Sequence, residues 1–121
     1  MGAEVTLTTA FTGSPPYAAP EQIQPDGAVD PRTDVYALGV TLYQCLTGTV
    51  PFPGQRVAEV FHHILTEDPE SPRRLNRSVG RDLETIVFKA LAKRPAARYA
   101  TAAELADDLE AVLEFRPVRA R

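Results

Sequence analysis

The stretch that decides the fold is residues 33–47, TDVYALGVTLYQCLT. Its apolar side chains occur around most of a helical circumference, and its only charge is Asp34 in the first turn. A helix that is hydrophobic on nearly all sides is normally buried. Asp30 and Pro31 predict its start and Gly48 its end, because Asx side chains cap helix N-termini and glycine readily adopts the left-handed conformation that stops a helix. The stretch therefore predicts the central helix of a small helical domain.

The composition is typical of one soluble globular domain. Of the 121 residues, 44% are hydrophobic and 24% are charged, and thirteen basic against sixteen acidic residues give a net charge of −3. This balance excludes a basic surface suited to nucleic acid. The single cysteine, Cys45, excludes an internal disulfide; its place in the central helix predicts a small buried apolar side chain, and we expect a reducing, cytoplasmic compartment. The sequence has no apolar run of membrane-spanning length and no signal peptide.

Three amphipathic helices are predicted around the central one. Apolar residues recur at helical spacing in three later segments, separated by prolines: Val57, Val60, Phe61, Ile64 and Leu65; Leu83, Ile86, Val87, Ala90 and Leu91; Leu105, Leu109, Val112 and Leu113. Thr101 and Glu104 form a capping-box pattern before the last of them. Residues 1–17 read as an exposed loop, and His62 and His63 as a partly buried or solvated flank rather than a metal site. The fold class is all-α, with a buried central helix.

Three short motifs are informative because of their order and their separation along the chain. They are GSPPYAAPE at 13–21, DVYALG at 34–39 and RPAARY at 94–99. Together they resemble the C-terminal lobe of a protein kinase, from the activation segment to the last helix, and most of all the bacterial branch of the eukaryotic-type serine/threonine kinases. The resemblance implies a partial kinase domain at 1–115, followed by a basic tail or linker at 116–121.

The first motif resembles the end of a kinase activation segment, Gly-Thr-x-x-Tyr-x-Ala-Pro-Glu. Gly13, Ser14, Tyr17, Pro20 and Glu21 occupy the matching positions, with serine in place of threonine. The resemblance implies that Gly13, Ser14 and Tyr17 position the substrate, and that the Ser14 hydroxyl hydrogen-bonds the catalytic aspartate and a nearby lysine. Without the flanking motif, Ser14 is equally well explained as a turn serine before a proline.

The other two motifs supply structural residues. By resemblance, Glu21 pairs with Arg98 and so ties the substrate loop to the helical base. Asp34 is implied to hold the catalytic loop through backbone N–H groups, although a carboxylate in a first helical turn also favours the helix dipole without any such role. Gly39 completes the DVYALG motif.

The threonines ahead of Gly13 are candidates for phosphorylation. Thr6, Thr8, Thr9 and Thr12 lie where bacterial relatives autophosphorylate, and we favour Thr8 and Thr9. A phosphate there would add a charge of about −2 and order the loop against basic residues. A merely polar loop is the alternative for any one of them.

The 121 residues contain no glycine-rich phosphate loop, no His-Arg-Asp and no Asp-Phe-Gly, all of which kinase chemistry requires. We therefore expect no catalytic residue, metal or cofactor in this chain; ATP and Mg²⁺ are implied only for the full-length enzyme. Two functions remain open. One is the substrate-binding lobe of a serine/threonine kinase, with protein substrates and the missing N-terminal kinase lobe as partners. The other is a non-catalytic helical interaction module that acts as a decoy.

Overall fold

The computed structural model describes residues 13–24 and 27–120 of the chain. These residues form α1 (Pro20–Ile23), α2 (Pro31–Thr47), α3 (Val57–Thr66), α4 (Pro72–Leu75), α5 (Arg81–Ala90) and α6 (Ala102–Leu113), with 3₁₀ turns at Pro15–Tyr17 and Pro95–Ala97. No strand occurs in the described ranges, and the predicted all-helical fold is confirmed. The four candidate phosphorylation sites, Thr6, Thr8, Thr9 and Thr12, lie outside the described residues.

The central helix α2 begins and ends where the sequence predicts. The Asp30 carboxylate accepts a hydrogen bond of 2.8 Å from the Arg32 backbone N–H, and the Thr33 hydroxyl accepts one of 3.2 Å from the Asp30 N–H. Gly48 adopts the left-handed conformation, with φ 81°, and donates to the Gln44 carbonyl at 2.8 Å. A side chain at Gly48 would carry a steric penalty, which explains why glycine ends the helix here.

Burial of α2 is one-sided, in contrast to the expectation of burial all round. The inner face consists of Thr33, Val35, Tyr36, Gly39, Val40 and Tyr43. Leu38 is 44% exposed and Cys45 is also exposed, so the predicted burial of Cys45 is wrong. The physical reason is that α5 and α6 pack against the inner face, whereas none of the described elements covers the side that carries Leu38 and Cys45.

At Gly39 the helices α2 and α5 approach each other closely. A β-carbon built there would be 2.8 Å from the Ala90 β-carbon and 3.1 Å from the Leu91 Cδ2. Both distances are shorter than ordinary van der Waals contact, and Ala90 is fully buried and cannot move aside. Gly39 therefore lets α5 pack directly on the α2 backbone, which places the following RPAARY motif beside the start of α2.

The C-terminal helix α6 differs from its predicted apolar stripe. The Thr101 hydroxyl accepts from the Glu104 N–H at 3.2 Å, as expected, but between these two described residues the return bond from the glutamate side chain is not formed. Leu113, assigned to the stripe, is 80% exposed, and the buried position is taken by Asp108. The inner face of α6 thus carries a buried carboxylate that the apolar pattern did not indicate.

After α6 the chain reverses and packs back on the helix. The Arg116 N–H donates to the Ala111 carbonyl at 2.7 Å and the Phe115 N–H to Val112 at 3.2 Å. Phe115 has φ 57° and is 97% exposed. This is the hydrogen-bond pattern of a Schellman motif, with phenylalanine where glycine is usual. As a result Val118 is buried, and residues 116–120 lie against the domain instead of projecting as the solvated tail suggested by their arginines.

Candidate functional site

The segment from Gly13 to α1 is fixed on the helical base by its own turns. Ser14 accepts from the Tyr17 N–H through its carbonyl at 3.0 Å, which closes the first 3₁₀ turn. Consecutive prolines suit such a turn because their φ is already restricted. Ala18 and Ile23 are buried in one cluster with apolar residues of α3, and the Tyr17 hydroxyl donates to the Gln44 side chain on α2. The segment therefore contacts both helices.

A buried ion pair joins this segment to the C-terminal part of the chain. The Arg98 Nη1 donates to Glu21 Oε2 at 2.7 Å and its Nη2 donates to Glu21 Oε1 at 2.8 Å. The two side chains are 0% and 6% exposed, and the residues are 77 positions apart in sequence. Two parallel charge-assisted hydrogen bonds of this kind are among the strongest side-chain contacts in proteins.

Every N–H of the Arg98 guanidinium has an acceptor. Besides Glu21, the backbone carbonyls of Ala92 (2.7 Å), Arg32 (3.1 Å) and Lys93 (3.2 Å) accept from it. A buried charge is tolerable only when its polar atoms are satisfied in this way. Arg98 thereby connects α1, the start of α2 and the turn after α5.

Two residues of α2 also contact the Glu21–Arg98 ion pair. The Thr33 hydroxyl donates to Glu21 Oε2 at 2.7 Å. The Arg98 guanidinium carbon lies 4.9 Å from the centre of the Tyr36 ring, within range of a cation–π interaction. Burial is the main reason why the pKa of Tyr36 is raised; the Arg98 charge opposes this rise, and the Glu21 charge adds to it. Tyr36 therefore stays neutral and provides an apolar wall beside the charges.

Burial raises the pKa of the Glu21 carboxyl, but hydrogen bonds from Arg98 and Thr33 outweigh it, and the net pKa is lowered from 4.5. Asp108 behaves alike: burial opposes ionisation, yet the hydrogen bonds from Tyr99, Arg119 and Ala120 lower its pKa below 3.8. Both groups are therefore ionised at neutral pH. They bind a proton more weakly in the folded state than in the unfolded state.

We expect the chain to lose stability in acid. A carboxyl whose folded pKa is depressed contributes its full stabilisation above the unfolded pKa, and that contribution is lost as the pH falls through the folded pKa. The urea midpoint of unfolding should thus be constant from neutrality to just above 4.5, the ordinary value of Glu21, and fall below it. A Glu21→Gln variant should have a lower midpoint at neutral pH and a shallower acid decline. An equally steep decline in this variant would contradict the assignment to Glu21.

Asp108 is a buried polar residue that the sequence reasoning missed. Its carboxylate accepts from the Tyr99 hydroxyl at 2.6 Å and from the backbone N–H groups of Arg119 at 2.8 Å and Ala120 at 3.1 Å. The signal available in the sequence was its place at helical spacing between Leu105 and Val112, together with the tyrosine that ends RPAARY. Asp108 attaches the C-terminal residues to α6.

The remaining predicted site residues lie apart from the buried pair. Gly13 and Ser14 are exposed, and Pro20 is buried at the start of α1. Asp34 is exposed, and its side chain makes no hydrogen bond to a described residue; Asp30 caps α2, as the sequence predicts. The structure thus brings Glu21 and Arg98 together, while the functional roles of Ser14 and Asp34 stay predictions.

The described residues form no site for Mg²⁺. Across the described ranges, no three His, Cys, Asp or Glu side chains are placed to hold a metal ion. His62 and His63 have ring centres 5.9 Å apart on α3, with His62 exposed. Among the described helices, none has the length and apolar character needed to span a membrane.

Comparison with known proteins agrees with the motifs and the fold. Residues 2–109 match the family model described as the protein kinase domain. The serine/threonine-protein kinase PknB of Mycobacterium tuberculosis H37Rv is 44% identical over 119 residues, which are 98% of this chain and 19% of that protein. PknB of Mycobacterium leprae is 44% identical over 116 residues (96% and 18%), and PknL of Mycobacterium tuberculosis CDC 1551 is 38% identical over 112 residues (93% and 28%). The chain thus spans about a fifth of the length of the PknB proteins it matches.

Proposed function

The chain belongs to the protein kinase domain family, and we propose that it is the substrate-side part of a serine/threonine kinase that transfers the γ-phosphoryl group of ATP to protein hydroxyls. The observation that carries the proposal is the buried pair between Glu21 and Arg98. Phosphoryl transfer is catalysed almost entirely by positioning and electrostatics. Such positioning is provided by a substrate loop that is fixed to the helical base through Arg98, whose guanidinium N–H groups are all hydrogen-bonded.

Within this proposal, Gly13, Ser14 and Tyr17 form the substrate-facing surface. The Ser14 hydroxyl is exposed and makes no hydrogen bond to a described residue, so it can bond groups supplied by the rest of the kinase. Tyr17 is held by Gln44, which limits movement of the turn between them. The proposal includes phosphorylation of this loop, at Thr8 or Thr9 in preference to Thr6 or Thr12.

The uncovered face of α2 is the proposed contact with the rest of the kinase. Asp34, Leu38 and Cys45 recur at helical spacing on this face, and all three are exposed. An apolar side chain such as Leu38 gains roughly 1.5–3 kcal/mol when it is buried completely. We propose that the catalytic loop and the remainder of the lobe cover it, with the Asp34 carboxylate accepting backbone N–H groups. The proposed domain extent is 1–115, and the proposed compartment is the cytoplasm.

A chimaeric kinase tests the proposal. The matching segment of Mycobacterium tuberculosis PknB is replaced by the 119 aligned residues of this chain, and transfer from radiolabelled ATP to a protein substrate is measured. We expect phosphoserine or phosphothreonine from the chimaera and no transfer from the 121-residue chain alone. Ser14→Ala should lower kcat on the order of 10- to 100-fold through lost positioning, and Ser14→Thr should restore it.

The competing function is a non-catalytic interaction module that binds kinase substrates or partners through the loop after Gly13, which is exposed, and the helical segment at 55–66. A folded but inactive chimaera, together with binding of kinase substrates by the isolated chain, would support that module and overturn the proposed function. Transfer by the isolated chain itself would contradict both.

A further inference from the structure

A second region carries a different chemistry. Ser71, Arg73, Arg74, Arg77 and Glu84 line an open cavity of about 690 Å³ around α4 and the start of α5. Its volume falls within the range usual for ligand sites. None of these residues belongs to the kinase motifs or to the Glu21–Arg98 pair, so the inference drawn from them does not rest on the proposed function.

The guanidinium groups around the cavity have unused donors. Arg77 is exposed and makes no hydrogen bond or ion pair to a described residue. Arg74 has only a loose, exposed contact of 3.7 Å with Glu70. The Nε of Arg73 donates to the Val79 carbonyl at 3.3 Å, which fixes this side chain while its two terminal nitrogens remain available. Three forked donor groups therefore border one concavity.

The single carboxylate in the lining is already engaged. Glu84 Oε2 accepts from the Ser71 hydroxyl and, at 3.2 Å, from the Arg73 backbone N–H. These bonds hold α4 against α5 and use Glu84 Oε2, which pairs with no guanidinium group. The arginines outnumber this carboxylate, so the cavity is locally positive on a chain whose net charge is −3.

From this arrangement we propose that the cavity binds a phosphate monoester carried on a protein segment, a phosphoserine or phosphothreonine side chain. A phosphate carries about −1.5 to −2 charges and three strong acceptor oxygens, and arginine clusters bind it through planar, bidentate hydrogen bonds. Glu84 in the lining and Glu70 beside Arg74 limit the extent of the positive region, which favours one compact dianion. An extended polyanion such as nucleic acid, or an anionic membrane surface, would meet repulsion from them.

Fluorescence anisotropy with the 121-residue chain tests this proposal. The probe is a short labelled peptide with a central phosphothreonine, and its unphosphorylated twin is measured in parallel. We expect the phosphorylated peptide to bind at least tenfold more tightly, since charge-assisted hydrogen bonds distinguish the two. The double variant Arg74→Gln/Arg77→Gln should weaken binding about tenfold. The control Arg94→Gln removes an exposed arginine outside the cavity, and should leave binding unchanged.

Several outcomes would overturn the site. Equal affinity for the two peptides would show that the phosphate is not recognised. If Arg94→Gln lost as much affinity as the double variant, binding would reflect non-specific charge attraction. Inorganic phosphate binding as tightly as the peptide would assign the cavity to the free ion. Tighter binding to phosphatidylserine vesicles than to the peptide would assign it to a membrane. Both altered arginines are exposed, and circular dichroism checks that the variants keep the wild-type helix content.

Discussion

Replacing Arg98 with methionine should lower the free energy of unfolding by about 3–5 kcal/mol, the cost of leaving one partner of a buried ion pair without the other. Glu21 would keep only the Thr33 hydroxyl, at 2.7 Å, as a side-chain donor. Three backbone carbonyls would also lose their donor. Because a whole domain has only about 5–15 kcal/mol of stability, we expect the urea midpoint to fall steeply or the fold to be lost.

The chain provides a matched control on its surface. Arg116 contacts Glu114 at 2.6 Å, but the two side chains are 55% and 51% exposed. Arg116→Met should therefore cost about 0–1 kcal/mol. Arg98→Lys should fail to restore stability, because an ammonium cannot reproduce the planar fork of five donors. Similar midpoints for the Arg98→Met and Arg116→Met variants would show that burial of the first pair adds nothing.

A double variant distinguishes the contribution of the two charges to stability from the contribution of packing. Glu21→Leu/Arg98→Met removes both charges, so neither is left buried alone. We expect it to be more stable than either single variant, since apolar replacement of a complete buried pair is often close to neutral. Additive losses would instead indicate that packing around Tyr36, not the charge, limits stability.

The second large effect is expected at Asp108. In an Asp108→Ala variant the buried Tyr99 hydroxyl loses its acceptor, which costs about 1–3 kcal/mol. The N–H groups of Arg119 and Ala120 also lose their acceptor, and they can regain hydrogen bonds only by turning to water. Residues 116–120 should therefore detach from α6, and trypsin should cleave after Arg119 faster than in the wild type.

Asp107 provides the control for this change. It has the same side chain on the same helix but is exposed. Asp107→Ala should alter stability by no more than about 0.5 kcal/mol and leave the cleavage rate as it is. If the two variants are cleaved at the same rate, Asp108 does not hold the C-terminal residues.

The predictable part of this fold rests on local chemistry. Asp30, Pro31 and Gly48 encode the limits of α2 through capping and backbone preferences, which depend on few neighbours. The spacing of apolar residues in α3 and α5 indicates which face of each helix packs against the core. The pairing of Glu21 with Arg98 came instead from the resemblance to a family, because no local rule relates residues 77 positions apart.

The features that sequence reasoning missed depend on packing. Cys45 and Leu38 follow the apolar pattern of α2, yet their exposure is decided by the absence of a covering element within the described residues. Asp108 is buried because a tyrosine and two N–H groups from other segments converge on it. Phe115 takes a conformation usually left to glycine, so no glycine marked the reversal that buries Val118.

The wide sequence separation of the Glu21–Arg98 contact has a consequence for synthesis on the ribosome. At about 5–20 residues per second, the 77 positions from Glu21 to Arg98 take roughly 4–15 s to translate. Throughout that interval Glu21 lacks its native partner Arg98, and closing so long a loop carries an entropic cost. The segment from Gly13 to α1 can therefore be joined to the C-terminal part of the domain through this pair only after the turn that follows α5 has been made, and a chaperone could bind the segment until then.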